Sequence, residues 1–269
     1  MNVQVKFTPG RWMLAALLCA AGAAAQQPPQ GPLTPPPKSE VKRIPAATRP
    51  EPPPIPVEQL ILRFSENEEQ LRRAFTLYSY QRSLRVQEWD AEGNPGGEFQ
   101  VTSEVIVAPD GRRFERTPVP PPSTLKLTSL TLEDAEELVR VPLFLLTPGE
   151  LANYELNYLG PQPLDELSTF VFRVAPKQLD RRRRFFEGLV WVDDRDFAIV
   201  KTYGRMVAET GEEGIELPFA LYETYRENVD RRFWFPTFTR AEDTVKLSDG
   251  EGRLRLTIRY TDFKSAAPK

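Results

Sequence analysis

FFEGLVWVDDRDFAIVKTYGRMV, residues 185–207, carries the strongest structural signal in the chain. Asp193-Asp194-Arg195-Asp196 is a run of turn-forming polar residues between two runs rich in β-branched and aromatic side chains, the pattern of a β-hairpin. With those four residues as the turn, Val192 faces Phe197, Val190 faces Ile199, Gly188 faces Lys201 and Phe186 faces Tyr203 on one side. On the other, Trp191 faces Ala198 and Leu189 faces Val200. An antiparallel hairpin with one wet face alternates apolar and polar positions. Near its turn this one is apolar on both faces, so covering helices, a second sheet, a subunit or an apolar ligand is expected on the second.

The elements around the hairpin are also mainly strands. After it come Leu217 to Asn228, Arg232 to Leu247 and Arg253 to Phe263, and before it Tyr154 to Leu159 and Ser168 to Ala175, with Asp165-Glu166, Asn228-Val229-Asp230 and Ser248-Asp249-Gly250 as punctuation. Further upstream, Val57 to Ala74 has a helical period: Leu60, Ile61, Phe64, Asn67, Leu71 and Ala74 mark one face, while Glu66, Glu68, Glu69, Arg72 and Arg73 are expected to face water. Thr76 to Asp90 then alternates, with Tyr78, Tyr80, Leu84 and Val86 on one side and Arg82 among them. Phe99, Val101, Val105 and Val107 share a face of the next strand, and Pro109-Asp110-Gly111 turns into a third beginning at Arg113. Two helical pieces interrupt the strands: Thr131 with Asp134 resembles a capping box before Ala135 to Arg140, and Thr147-Pro148 with Glu150 is a helix start. Between them Val141-Pro142-Leu143-Phe144-Leu145-Leu146 reads either as core packing or as the inner surface of a lid. Some nine to eleven sequential strands, without alternating helices, predict a mainly β (α+β) fold. The sheet would be twisted, curled or partly closed, with the helix from Val57 filling its concave side.

Composition sets the address and excludes chemistry. Lys6 and Arg11 precede an apolar run from Trp12 to Ala21, and Ala23-Ala24-Ala25 before Gln26 offers a small-residue cleavage site, so residues 1–25 read as a secretory signal peptide too short for a good membrane span. Cys19, the single cysteine, lies inside that run as a discarded hydrophobic residue; Leu18 before it fits lipidation badly. Residues 26–56, with proline clusters and almost no large apolar groups, read as an extended linker. Without residues 1–25, 33 basic groups stand against 38 acidic ones, a formal −5, which argues against nucleic acid as partner. The mature chain has neither Cys nor His. Disulfides, thiol nucleophiles, Cys/His zinc sites and serine-histidine triads disappear together.

The remaining motifs have plain readings. Arg181 to Arg184 splits between two strand faces as edge protection, with anionic lipid or a carboxylate as the functional alternative. Asp193, Asp194 and Asp196 lack the spacing of a calcium loop, so no metal is assigned. Glu133, Asp134, Glu136 and Glu137 solvate a helix. Phe233-Trp234-Phe235-Pro236 fits a buried strand at a sheet edge, or sugar or lipid contact. A hydrolase built on two converging carboxylates is the enzymatic alternative, and no motif supports it.

The order of elements, with Gly188-Leu189-Val190-Trp191-Val192-Asp193, Phe197-Ala198-Ile199-Val200 and Phe233-Trp234-Phe235-Pro236-Thr237, resembles the LolA-like superfamily of periplasmic outer-membrane lipoprotein-sorting proteins over about Val57 to Lys264. The resemblance implies an unclosed, strongly curved antiparallel β-barrel whose concave side, lidded by helices, accepts acyl chains of lipoproteins or other lipids. The superfamily also includes lipoprotein-sensing regulators, so an envelope protein is the alternative partner. In the carrier an arginine followed by proline at the end of an early strand helps hold the lid. The comparable turn here is Ala108-Pro109-Asp110-Gly111-Arg112-Arg113-Phe114, which makes Arg112 or Arg113 the candidate. The expected protein is periplasmic, non-enzymatic and without cofactor. Its lining is Tyr78, Tyr80, Leu84, Val86, Phe99, Val101, Leu189 and Trp191, and its lid Leu143, Phe144, Leu145 and Leu146.

Overall fold

The computed structural model describes residues 51–266 apart from 91, 109, 141–142, 182, 209–218 and 248–249. The expected signal peptide with Cys19, nearly all of the proline-rich tract, and Pro109, Val141, Pro142, Arg182, Ser248 and Asp249 lie outside the described residues.

Helix α1 (Val57–Phe75) leads into a meander of β1 (Tyr78–Trp89), β2 (Pro95–Val107) and β3 (Arg113–Arg116). A connection containing α2 (Leu132–Arg140) and one 3-10 turn (Leu151–Asn153) follows, and then β4 (Tyr154–Leu164), β5 (Leu167–Pro176), β6 (Phe185–Asp193), β7 (Ile199–Val207), β8 (Tyr222–Val229), β9 (Phe233–Leu247) and β10 (Gly250–Ser265). The strands form one antiparallel sheet in the order β3-β2-β1-β10-β9-β8-β7-β6-β5-β4. Because β10 returns beside β1 while β3 and β4 stay unpaired at the two edges, the barrel is open. The mainly β architecture is the one the strand count predicted, and the unclosed antiparallel barrel is the one the resemblance implied.

This topology makes one connection special. All others are local, but residues 117–153 join the two edges of the sheet and must cross its open side. We call this segment the strap. At α2 its start is the expected capping box: Thr131 Oγ1 accepts from the Asp134 N–H at 3.2 Å while the Asp134 carboxylate accepts from the Thr131 N–H at 2.7 Å. The helix predicted from Thr147-Pro148 is instead a turn followed by the 3-10 turn, because Asn153 closes back on the Glu150 carbonyl and Tyr154 enters β4.

The central hairpin forms, but its register differs from the counted one. Val192 pairs with Ile199, then Trp191 with Lys201, Leu189 with Tyr203, Gly188 with Gly204 and Phe186 with Met206. The turn is longer than its polar residues suggest, since Phe197 is drawn into it at φ 50° and a bulge follows between Trp191 and Val192. Asp193 organises that turn: its carboxylate accepts from the Arg195 and Asp196 N–H groups at 3.1 and 2.7 Å. The Gly188/Gly204 pair has a steric cause. A Cβ on Gly188 would stand 2.2 Å from the Tyr203 carbonyl oxygen, and one on Gly204 2.6 Å from Phe186 Cζ, so the Phe186 ring lies where only glycine leaves room.

Candidate apolar ligand site

One face of the sheet packs on α1 and the strap. Alternation on β1 and β2 turns Tyr78, Tyr80, Leu84, Val86, Phe99 and Val101 to that face, and the register sets Leu84 against Val101 and Val86 against Phe99. Six of the eight predicted lining residues are therefore brought together, with Leu71, Phe75, Leu138 and Phe235, in one buried cluster. Burial pushes the Tyr80, Tyr222 and Tyr260 phenols above their ordinary range, so these hydroxyls stay neutral in a poorly solvated interior.

Leu189 and Trp191 are elsewhere, and this corrects the lining. On β6 it is Val190 and Val192 that face α1, in a second cluster with Leu60, Phe64, Phe172 and Phe186. Trp191 points the opposite way, into a small outer cluster with Val171 and Val200, against which Leu189 packs. The apolar second face seen in the sequence is covered by the protein itself: Lys201 Nζ lies 4.8 Å from the Trp191 ring centre, and the indole N–H donates to Gln162 Oε1 at 3.1 Å.

The predicted lid residues alternate between the two inner clusters. Phe144 and Leu146 enter the second, Phe144 stacking on Phe186 with ring centres 4.3 Å apart, while Leu143 and Leu145 pack against the first. Leu125, Leu127, Leu130 and, from α2, Ala135, Leu138 and Val139 extend the apolar underside of the strap.

Polar contacts that sequence reading missed also pin the strap to the sheet. Arg226 on β8 makes a double hydrogen bond to the Glu68 carboxylate of α1 at 2.6 and 3.1 Å and donates to the Phe144 carbonyl at 2.8 Å. Glu68, expected in water, is instead 1% exposed. Its place in the helical period beside Phe64 and Leu71 was the available signal, masked by the other charges of that helix. Buried Glu88 on β1 accepts from the Lys126 and Leu127 N–H groups at 2.6 and 2.5 Å. Thr124 donates its N–H to the Glu98 carbonyl at 2.9 Å.

The arginine contact with the strap expected of Arg112 or Arg113 is made by Arg226 instead. Arg112 pairs with neighbouring Asp110. Arg113 donates to the Phe75 carbonyl at 3.3 Å and to Tyr80 Oη at 2.9 Å, so it caps the C-terminal end of α1 rather than the strap.

Gly97 supplies a direct handle on the strap. A Cβ there would come within 2.0 Å of the Thr124 carbonyl oxygen, so Gly97→Ala is expected to push the strap off β2 at a cost of about 1–3 kcal/mol. Limited proteolysis within residues 120–130 should accelerate; an unchanged cleavage rate would show that the strap is not seated there.

A cavity of about 70 Å³ is left under this cover, between α2 and the β1–β3 edge, and another, of about 220 Å³, lies on the other face of the sheet beside Trp89, Arg253 and Arg255. Small-molecule sites begin at roughly 300 Å³, larger than either of these cavities. Among the described residues no group of three or more His, Cys, Asp or Glu side chains could hold a metal. No described helix is long and apolar enough to cross a membrane.

Fold and site together define an open antiparallel barrel closed by its own strap. Solved structures similar to this chain include a DUF1329 family protein from Desulfovibrio piger, at 11% identity over 77% of this chain and 90% of that one with a TM-score of 0.37. Another is a LolA superfamily protein from Nitrosomonas europaea, at 16% identity over 76% and 94% with a TM-score of 0.32. A third is MucB, at 13% identity over 76% and 92% with a TM-score of 0.29. A LolA superfamily protein is thus one of the solved structures to which the chain is similar. No protein-family profile matches the chain, and no curated protein does. At these identities the function has to be argued from the chain's own residues.

Proposed function

We propose that the protein is an exported, non-enzymatic carrier that holds an acyl chain of a lipid or lipoprotein between the inner face of its sheet and the strap. The observation that carries this reading is the strap itself, an apolar cover over an apolar sheet face, fixed by a few polar contacts instead of strand pairing. Lifting it would expose Tyr80, Leu84, Val86, Phe99 and Val101 as one surface, and each chain methylene buried there contributes about 0.8 kcal/mol. Residues 1–25 serve as the signal peptide, 26–56 as a spacer and 57–264 as the binding domain, which places the protein in the periplasm.

Native mass spectrometry of the mature protein purified from its own envelope, followed by organic extraction, tests the proposal. A stoichiometric acyl-bearing ligand is the expected result. Protein that is repeatedly empty and takes up no fluorescent fatty acid sinks it. A second reading, binding of an envelope protein, draws on the outer face of the hairpin, where Leu189 lies beside half-exposed Tyr203. Capture of a defined protein partner that is abolished by Tyr203→Asp would favour it.

A further inference from the structure

We infer that Arg82 receives the anionic head of the ligand, a carboxylate or phosphate oxyanion carried by an acyl-chain amphiphile, when the part of the strap bearing α2 lifts. The inference rests on the carrier reading above and names the ligand class. Arg82 occupies the inner face of β1 between Tyr80 and Leu84, with Ser103 of β2 and Tyr260 of β10 beside it across the strands. Its side chain is 14% exposed and its one partner among the described residues is Glu115, through Nη2. A guanidinium carries five N–H donors in a planar fork suited to bidentate oxyanions. Four of them are unspent, in a position where desolvating a cation is costly unless it is well paired.

The small cavity under α2 gives this cation an amphipathic surrounding. Leu84 and Val101 continue from it into the apolar face, while Ser103 and Thr117, hydrogen-bonded to each other at 2.8 Å, place two hydroxyls on its polar side. A head at Arg82 therefore leaves the chain running along the predicted lining. The charges also couple binding to opening. In the closed form Glu115 and, on α2, Glu136 line the same cavity, so an incoming anion meets one cation and two carboxylates. Withdrawal of α2 removes Glu136. Glu115, 45% exposed on the edge strand β3, can turn into water and leave Arg82 to the ligand.

Displacement of a bound fluorescent fatty acid from the full mature protein by palmitate, 1-palmitoyl lysophosphatidylglycerol and neutral 1-palmitoylglycerol tests this. Wild type is expected to bind at least one of the two anionic lipids about tenfold tighter than the neutral one, the scale of a charge-assisted hydrogen bond. Arg82→Gln should weaken the preferred anionic lipid about tenfold and the neutral lipid by much less, so that the preference disappears, and Glu115→Gln should strengthen anion binding several-fold. Preference for palmitate identifies a carboxylate head, and preference for the lysophospholipid a phosphate. Equal binding of charged and neutral lipids, or equal losses for both in Arg82→Gln, overturns the head-group assignment and leaves the carrier reading standing. Absence of binding by all three overturns both.

Discussion

Replacing Arg226 with methionine is expected to lower the unfolding free energy by about 3–5 kcal/mol, because it strands a carboxylate in the core. The two side chains of the Arg226–Glu68 pair are 3% and 2% exposed, so water cannot take over the lost hydrogen bonds. For a domain of this size such a loss is a fall of roughly 6–20 °C in Tm. The reciprocal Glu68→Leu should be comparably damaging, since it strands the guanidinium. The double variant should recover most of the loss, because the cost arises from the unpaired charge and not from the absence of the pair. One part is not recovered: the Phe144 carbonyl loses its donor in either background, and amide exchange in residues 143–146 should remain faster than in wild type. Denaturant melts of the four proteins decide the matter. A single Arg226→Met variant within about 1 kcal/mol of wild type would mean that the pair is solvated and does not tie α1 to the strap.

This pair also marks where the sequence stops being legible. The strands, the hairpin between Phe185 and Val207 and the inward set on β1 and β2 follow from alternation, which is a local property. Even the wrong hairpin register left their existence untouched. The register error, which came from the turn absorbing Phe197, changed only the partners on β7; Leu189 and Trp191 were assigned to the wrong face because β6 is apolar on both and alternation does not say which one meets α1. Glu68 and Arg226 are 158 positions apart, and Glu88 meets Lys126 across 38. No periodicity links such residues, and each alone resembles one more surface charge. The site's apolar lining was readable because it repeats along a strand; its polar fixings were not, because each exists only once the strap has crossed from β3 to β4.

Phe64→Ala is expected to cost about 3–5 kcal/mol, as for other large aromatic truncations in full burial. The ring is 0% exposed and meets Phe172 edge-on with centres 5.4 Å apart, joining α1 to β5 in the inner cluster. Its meaning for function comes from comparison with Phe144→Ala, which removes a ring of the same size from the strap, where it stacks on Phe186. If the strap opens as a unit of its own, its contacts are already broken in a state less costly than global unfolding. Phe144→Ala should then raise amide exchange across residues 124–146 while lowering the denaturation midpoint much less than Phe64→Ala does. Phe64→Ala should lower the midpoint and accelerate exchange throughout β5 and β6. Hydrogen exchange read by mass spectrometry alongside urea melts separates the two patterns. Equal falls in midpoint for both variants would make the strap an integral part of the fold. A sheet that cannot uncover its inner face in this way has no route by which an acyl chain could reach Leu84 and Val101.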